Sequence, residues 1–266
     1  MHPVEILARY WPFANGSGRF VDKFGKGLDL GSGERLARTS DGFPLTVFAD
    51  EHIGRHILLS GKFDRSIVQT LLDRARPGDV LVDIGANIGY VSACFLSNVE
   101  NGTVVCVEPQ PGVVDLLRSN MKQFDGRAKI CQVAISDTDG ELRFHVNSQN
   151  RGASKVAADG ELRVPSISAL NFFGSMDRID LLKIDVEGHE LPIFTALESE
   201  LPRLKPRAIL FEEQVGLVAP DKVIGRILKS CGYATYGIDK RLLKTHLLPI
   251  SSAADCQFND YLAVLT

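Results

Sequence analysis

The sequence predicts an α/β protein built on a doubly wound sheet, and three observations lead to this fold class. From Asp79 onward, short runs rich in Val and Ile alternate with stretches of helical periodicity, a pattern typical of parallel strands covered on both faces. Residues 80–89, "VLVDIGANIG", form an apolar run that ends in a glycine turn before a helical stretch. The last two strand-like runs have no helix between them, which predicts a reversed last pair and a mixed sheet.

The chain is predicted to divide into an N-terminal appendage, residues 1–76, and a ligand-binding domain, residues 77–266. Within the appendage, residues 14–34 are rich in glycine and predict a poorly ordered arm or a loop-rich flap.

A β-hairpin and a helix are expected to complete the appendage. Asp41-Gly42 lies between two strand-like runs, which is a strong hairpin signal. Residues 64–75 place apolar side chains on one helical face, with Asp64 as the expected cap and Pro77-Gly78 as the stop. Phe63, just before this helix, is expected to form an apolar wall of the binding site.

The larger domain is predicted to contain seven strands, at residues 80–85, 103–109, 129–136, 179–188, 207–214, 234–239 and 260–266. Helices are expected between them at residues 88–98, 112–124, 191–201 and 221–231. An extra hairpin strand, residues 140–150, is expected after the third strand, entered through a tight turn at Asp139-Gly140.

Composition and charge exclude several classes of protein. The chain has 266 residues and a formal net charge of −3, so it lacks the basic surface of a nucleic-acid binder. Its five cysteines include no C-x-x-C, which indicates a reducing, cytoplasmic environment without disulfides. Neither a signal peptide nor a membrane span is expected from the apolar patterning. The oligomeric state is not predicted.

The glycine turn argues against a phosphate ligand. Asn87 and Tyr90 stand where a dinucleotide fingerprint has its second and third glycines, and no lysine follows Gly89 as a P-loop requires. Asp83 is expected on the ligand side of the strand end, where a carboxylate repels phosphate and attracts an ammonium group.

An S-adenosylmethionine site satisfies these constraints. The turn amides and Asn87 would take the ligand's carboxylate at a helix N-terminus, and Asp83 its ammonium. Glu108, at the end of the second strand, would accept hydrogen bonds from both ribose hydroxyls. A side chain at Gly85 is expected to fill the space of the methionine moiety. The predicted cofactor contacts are Asp83, Gly85, Ala86, Asn87, Gly89, Glu108, Pro109, Ala134, Ile135, Ser136 and Asp185.

These stretches resemble the FkbM-type family of S-adenosylmethionine-dependent methyltransferases. The matching segments are "GDVLVDIGANIGYVS", "VVCVEPQPGVVDLLRSNM", "VAISDTDGELRF", "IDLLKIDVEGHE" and "AILFEE", which run from residue 78 to about residue 214. The resemblance implies a class I methyltransferase fold, with a Rossmann-like seven-stranded sheet in the order 3-2-1-4-5-7-6. It also implies O-methylation, commonly of sugar hydroxyls in glycans or metabolites, with S-adenosylhomocysteine as the by-product.

The segment "LLKIDVEGHE" supplies the candidate catalytic residues. Lys183 and Asp185 share one strand face, Glu187 extends that series, and His189 opens the next helix. His189 is the first candidate for the base that removes the hydroxyl proton, because the ordinary pKa of histidine lies near neutral pH. Asp185 is the alternative base, Lys183 either pairs with it or stabilises the alkoxide, and Glu187 is expected to cap the helix.

No metal is expected, although Asp185, Glu212 and Glu213 are the candidate ligands if a divalent ion binds. Three other functions stay open at this point, of which N-methylation of a nucleobase or protein is disfavoured because no (Asp/Asn)-Pro-Pro-(Tyr/Phe) motif follows the fourth strand. A nicotinamide-dependent oxidoreductase is disfavoured by Asp83 and Asn87, and a non-catalytic ligand-binding module is disfavoured by Lys183, Asp185 and His189. The partner is expected to be a small-molecule or glycan acceptor.

Overall fold

The computed structural model describes residues 2–147 and 154–266. Its N-terminal segment is partly helical rather than entirely loop-rich. It begins with α1 (Pro3–Arg9) and α2 (Ser17–Phe24). Ala8, Val21 and Leu59 form a small buried cluster that holds both helices against the following one. Within the poorly ordered arm or loop-rich flap expected at residues 14–34, residues 17–24 are therefore helical and packed, whereas residues 25–33 form neither helix nor strand.

The hairpin predicted at Asp41-Gly42 is confirmed, since β1 (Glu34–Arg38) pairs antiparallel with β2 (Pro44–Phe48). Next comes α3 (His52–Ser60), a helix that the sequence analysis missed, and then α4 (Arg65–Leu72). Asp64 precedes α4 but does not cap it. Its backbone is left-handed, with φ 31°, and its carboxylate pairs with Lys240 instead.

The larger domain contains twelve strands and five α-helices among the residues that the structure describes, with short 3₁₀ helices at Lys122–Phe124 and Ala253–Asp255. In chain order they are β3 (Val80–Ile84), α5 (Tyr90–Asn98), β4 (Thr103–Val107), α6 (Pro111–Met121), β5 (Ala128–Cys131), β6 (Ala134–Ser136), β7 (Gly140–His145), β8 (Lys155–Val156), β9 (Leu162–Ser168), α7 (Ala169–Gly174), β10 (Leu181–Ile184), α8 (Glu190–Leu204), β11 (Ala208–Glu212), α9 (Val223–Ser230), β12 (Tyr233–Lys240), β13 (Thr245–Pro249) and β14 (Asp260–Leu265).

The main sheet confirms the predicted α/β fold class, with strand order β13-β12-β14-β11-β10-β3-β4-β5. In this sheet the five neighbouring strands β11, β10, β3, β4 and β5 are parallel to one another. Strand β14 runs antiparallel to both of its neighbours, β11 and β12. Seven of these strands follow the order 3-2-1-4-5-7-6. The eighth, β13, pairs antiparallel with β12 and extends the sheet beyond the seven strands expected.

The third predicted strand, 129–136, is two strands in two sheets. β5 stays in the main sheet, whereas β6 pairs in parallel with β9 in a second sheet of order β6-β9-β7-β8. The turn at Asp139-Gly140 is therefore not the hairpin turn expected, because β9 lies between β6 and β7. Residues 148–150 of the predicted extra strand lie outside the described residues.

The two faces of the main sheet carry separate cores, as the period of two along a strand requires. Leu81 and Leu181 pack with α4, α5, α6 and the hairpin, whereas Val82 and Leu182 pack with α7, α8 and α9. Because Leu45 and Val47 of the hairpin are in the first core, the appendage packs directly against the sheet. The division at residue 76 stays a prediction.

No helix in the described ranges is long and apolar enough to cross a bilayer.

Candidate active site

A cavity of about 400 Å³ lies at the edge where β3, β4, β10 and β11 end. Parallel strands end at the same edge of a sheet, so side chains far apart in sequence meet there. Ala134 and Ile135 of β6 form one wall, and His52 and Phe63 of the appendage form another. Phe63 is thus an apolar wall of the cavity, as the sequence suggested.

Glu108 and the turn after β3 form one end of the cavity. The buried Glu108 carboxylate accepts hydrogen bonds from the backbone N–H groups of Asn87, at 3.1 Å, and Gln110, at 3.0 Å. Asn87 is left-handed, with φ 49°, and its Oδ1 accepts from the N–H of Ile88 at 2.7 Å. Asparagine tolerates this conformation better than most side chains, which explains why it replaces a glycine here.

Burial raises the pKa of Glu108 to about 7, although the two backbone N–H donors act in the opposite direction. The carboxyl group therefore changes its charge near neutral pH, in direct contact with the cavity.

Two glycines of the turn have left-handed backbones, with φ 77° at Gly85 and 87° at Gly89, and both lie close to neighbouring protein atoms. A Cβ at Gly85 would lie 1.8 Å from the carbonyl oxygen of Asp185, so β3 and β10 approach too closely for any side chain. This corrects the expectation that a side chain would fill ligand space. At Gly89 a Cβ would lie 2.6 Å from Leu117 Cδ1, which makes this glycine a contact with α6.

The structure separates the predicted cofactor residues into two groups. Those that line the cavity are Gly85, Asn87, Glu108, Pro109, Ala134, Ile135 and Asp185. Those that do not line it are Asp83, Ala86, Gly89 and Ser136. Ala86 is in the apolar core, and Asp83 and Ser136 are buried with protein partners.

Asp83 is held by Lys183 instead of facing the cavity. The two residues are register partners on β3 and β10, and Lys183 Nζ lies 3.1 Å from Asp83 Oδ1. Ser92 Oγ donates to the other carboxylate oxygen at 2.6 Å. Asp83 does not line the cavity, so the structure does not support the predicted contact between its carboxylate and a ligand ammonium group.

Lys183 also contacts Asp185 Oδ2, at 3.3 Å, and donates to the carbonyl oxygen of Gly85, at 3.1 Å. Burial alone would lower the pKa of Lys183, but Asp83 and Asp185 outweigh it and raise the pKa above its ordinary value. Lys183 is thus a permanently charged ammonium group and not a proton acceptor at neutral pH.

Three carboxylates gather beside this lysine. Asp185, Glu187 and Glu212 bring one oxygen each to within 4.8 Å of the others. Burial, together with the nearby charge of Asp185, raises the pKa of Glu187 to about 7 and that of Glu212 to about 8. The cluster therefore binds protons near neutral pH.

Glu213 is not part of this cluster, which corrects its place among the candidate metal ligands. Its buried carboxylate accepts from the backbone N–H groups of Val215 and Val218, at 2.6 and 3.3 Å. Successive residues of a strand point to opposite faces, so Glu212 and Glu213 could not both face the cavity. Glu187 takes the third position instead.

Glu187 leaves the strand rather than extending it, because β10 ends at Ile184 and Glu187 is left-handed, with φ 52°. Glu187 does not cap α8, which has no side-chain cap at its N-terminus, and the Glu190 carboxylate instead accepts from the N–H of Gly188, in the turn before the helix, at 3.1 Å.

His189 is the N-cap residue of α8 and lines the cavity. Its Nε2 lies 2.9 Å from Ser136 Oγ, and the same hydroxyl donates to Asp137 Oδ1 at 3.0 Å. Because the hydroxyl proton of Ser136 is donated to Asp137, the Ser136 oxygen accepts the hydrogen bond from Nε2–H of His189. The other ring nitrogen of His189, Nδ1, then keeps its lone pair. Burial lowers the pKa of His189, so the imidazole is neutral at pH 7.

Lys240 forms the rim, and the sequence analysis missed it. Its Nζ lies 2.6 Å from Asp64 Oδ2 and 2.8 Å from Asp260 Oδ2, which joins the appendage to β12 and β14. All three residues line the cavity. The reversal of the last strand was the available signal, because it brings the first residue of β14 to the edge where the parallel strands end.

Comparison with known proteins places the chain in a family. Residues 83–234 match the family model described as the methyltransferase FkbM domain. This is more than half of the chain, and the chain belongs to that family.

Two curated relatives are similar over part of their length. The hexuronic acid methyltransferase AglP of Haloferax volcanii is 32% identical over 159 residues, which are 59% of this chain and 64% of that protein. The 2-O-methyltransferase NoeI of Sinorhizobium fredii is 27% identical over 165 residues, or 54% of this chain and 66% of that one. The chain thus spans less than two thirds of either relative.

Solved structures show weaker similarity. A precorrin-6y C5,15-methyltransferase from Geobacter metallireducens is 16% identical at a TM-score of 0.43, over 76% of this chain and 90% of that one. An O-methyltransferase from Bacillus cereus, in complex with SAH, is 11% identical at a TM-score of 0.40, over 75% and 79% of the two chains.

The close approach at Gly85 makes a testable prediction. Gly85→Ala is expected to lower the free energy of unfolding by about 1–3 kcal/mol more than Gly78→Ala, measured by urea denaturation. Both glycines have φ 77°, but nothing lies within 4 Å of a Cβ at Gly78. The control therefore carries the backbone strain of about 1–2 kcal/mol without the collision. Equal losses in the two variants would contradict the close approach.

Proposed function

We propose that the protein is an S-adenosylmethionine-dependent O-methyltransferase that acts on a hydroxyl group, in particular that of a sugar in a glycan or glycosylated metabolite. The observation that carries the proposal is the charge of one cavity in a member of the FkbM family. Six carboxyl groups and two lysines line it, namely those of Asp64, Glu108, Asp185, Glu187, Glu212, Asp260, Lys183 and Lys240.

This charge favours a cationic ligand such as a sulfonium over a phosphate-bearing one. A nicotinamide dinucleotide would bring its pyrophosphate against the carboxyl group of Glu108, and the nearby Lys183 ammonium is already paired with Asp83 and Asp185. The oxidoreductase alternative therefore loses support.

The residues present fit S-adenosylmethionine, which supplies the methyl group when bound. Glu108 would accept hydrogen bonds from the ribose hydroxyls, since its oxygens face the cavity at the end of β4. The backbone N–H groups from Gly85 to Gly89 all donate to protein oxygens, so the expected role of the turn amides passes to the side-chain amide of Asn87, which would donate to the carboxylate. Ala134 and Ile135 would line the adenine, and Asp185 the methionine end.

The sugar acceptor rests on the named relatives. One of them is named for a hexuronic acid and the other for 2-O-methylation. Sugar hydroxyls are uncharged hydrogen-bond donors. The carboxylates of Asp185, Glu187 and Glu212 would accept hydrogen bonds from them and so orient a sugar that carries no positive charge.

His189 is proposed as the base. Its imidazole is neutral at pH 7, and Ser136 fixes one ring nitrogen so that the other accepts the hydroxyl proton. Asp185 would orient the acceptor, and Lys183 would hold the Asp185 carboxylate in place through their ion pair. Glu212 is the competing base, because its pKa of about 8 also allows proton transfer.

The activity itself is tested with purified protein, S-adenosylmethionine and a panel of neutral hexosides and hexuronic acids. We expect one acceptor class to gain a single methyl group by mass spectrometry, with an equal amount of S-adenosylhomocysteine. Glu108→Ala serves as the control that loses the cofactor. Binding of neither S-adenosylmethionine nor its by-product in calorimetry would overturn the proposal.

Cofactor affinity should depend on pH through Glu108. Below its pKa of about 7 the carboxyl group of Glu108 is protonated and accepts hydrogen bonds from the ribose hydroxyls poorly. The affinity for S-adenosylhomocysteine should therefore rise with pH from about pH 5.5 and level off above about pH 8. Glu108→Gln should weaken binding by about 1.5–3 kcal/mol and remove this dependence. Calorimetry across this range measures both, and an unchanged pH profile in the variant would remove Glu108 from the binding site.

The pH dependence of kcat at saturating cofactor should identify the base. A general base must be unprotonated, so activity is lost as the pH falls through its pKa. For His189 the midpoint lies below its ordinary 6.5, and for Glu212 it lies at about 8. His189→Ala should lower kcat by about 10²–10⁴-fold with cofactor affinity unchanged. A midpoint near 8 that Glu212→Gln abolishes would assign the base to Glu212.

A further inference from the structure

Two histidines and an aspartate meet on the appendage, and of the three only His52 also lines the cavity described above. His52 and His56 stand one turn apart on α3, and Asp22 faces them from α2. Asp22 Oδ1 lies 2.8 Å from His56 Nε2 and 3.6 Å from His52 Nδ1. The three potential ligand atoms all lie within 4.8 Å of one another.

Aromatic packing holds the two imidazoles together. Their ring centroids are 4.3 Å apart, and the ring of Phe63 lies against both, at 5.9 Å from His52 and 5.6 Å from His56. His56 is buried, whereas the side chains of His52 and Asp22 are 43% and 50% exposed. The cluster thus has one fixed member and two that are free to adjust.

Two imidazole nitrogens and a carboxylate oxygen form a donor set for divalent transition metals, above all zinc. Zinc binds nitrogen and carboxylate oxygen at about 2.0–2.2 Å, which requires tetrahedral ligands about 3.3 Å apart. The separations from Asp22, 2.8 and 3.6 Å, bracket that value.

We propose that Asp22, His52 and His56 form a binding site for a divalent transition metal ion of the zinc class. The ion would join α2 to α3 and leave one coordination position for water. Because His52 also lines the cavity, the site lies at its rim and would fix the appendage over the cavity mouth. The proposal does not depend on the reaction catalysed.

The test uses the full chain without an affinity tag, stripped of metal by a chelator and dialysed against Zn²⁺. We expect one zinc ion per chain with micromolar or tighter affinity, and a visible spectrum typical of tetrahedral coordination when Co²⁺ replaces it. Asp22→Ala and His52→Ala should each weaken zinc binding on the order of 10–100-fold or more. These two residues are partly exposed, so their variants should fold.

His145→Ala is the matched control. His145 Nδ1 lies 3.3 Å from Glu161 Oε2 in an exposed pair without a second histidine, so this variant should bind zinc like the wild type. The proposal is overturned if the wild type does not bind zinc in this range, or if Asp22→Ala or His52→Ala binds it as tightly as the wild type.

Discussion

A single buried ammonium group organises the edge of the sheet where the cavity lies. Lys183 joins Asp83 on β3 to Asp185 at the end of β10, and it also binds the carbonyl oxygen of Gly85. The fully buried carboxylate of Asp83 would be costly without a cation beside it, whereas the side chain of Asp185 is 40% exposed. The same contacts explain the glycine, because the two strand ends approach until Gly85 touches the backbone of Asp185.

The remaining charges divide the cavity into two ends. Glu108 occupies one end, with its oxygens held by backbone N–H groups, and the cluster of Asp185, Glu187 and Glu212 occupies the other. The raised pKa of Glu187 and of Glu212 means that this second end holds protons at neutral pH. An acceptor hydroxyl would therefore meet groups that both accept and donate hydrogen bonds.

The sequence predicted those parts of the fold and site that follow from local pattern and parallel topology. Glu108 and Asn87 follow strand ends, and such ends meet wherever a parallel sheet forms. Asp83 was predicted wrongly because pattern alone does not show that a lysine on the next strand reaches it first. The parity of a strand would have excluded Glu213 in favour of Glu212. Helix α3 and strand β9 were missed because their apolar residues pack against residues that are distant in sequence. A pattern read over a short stretch of the sequence does not show these contacts.

The central claim is that Lys183 stabilises the site as a fixed cation. A double-mutant cycle of Lys183→Met and Asp83→Asn, followed by urea unfolding, tests it most directly. Lys183→Met alone should cost about 3–5 kcal/mol, because it leaves the buried carboxylate of Asp83 without a cation. The double variant should recover part of that loss, since asparagine at position 83 carries no charge. The account would be contradicted if the double variant lost as much free energy of unfolding as the two single variants together. Lys183 and Asp83 would then stabilise the protein independently.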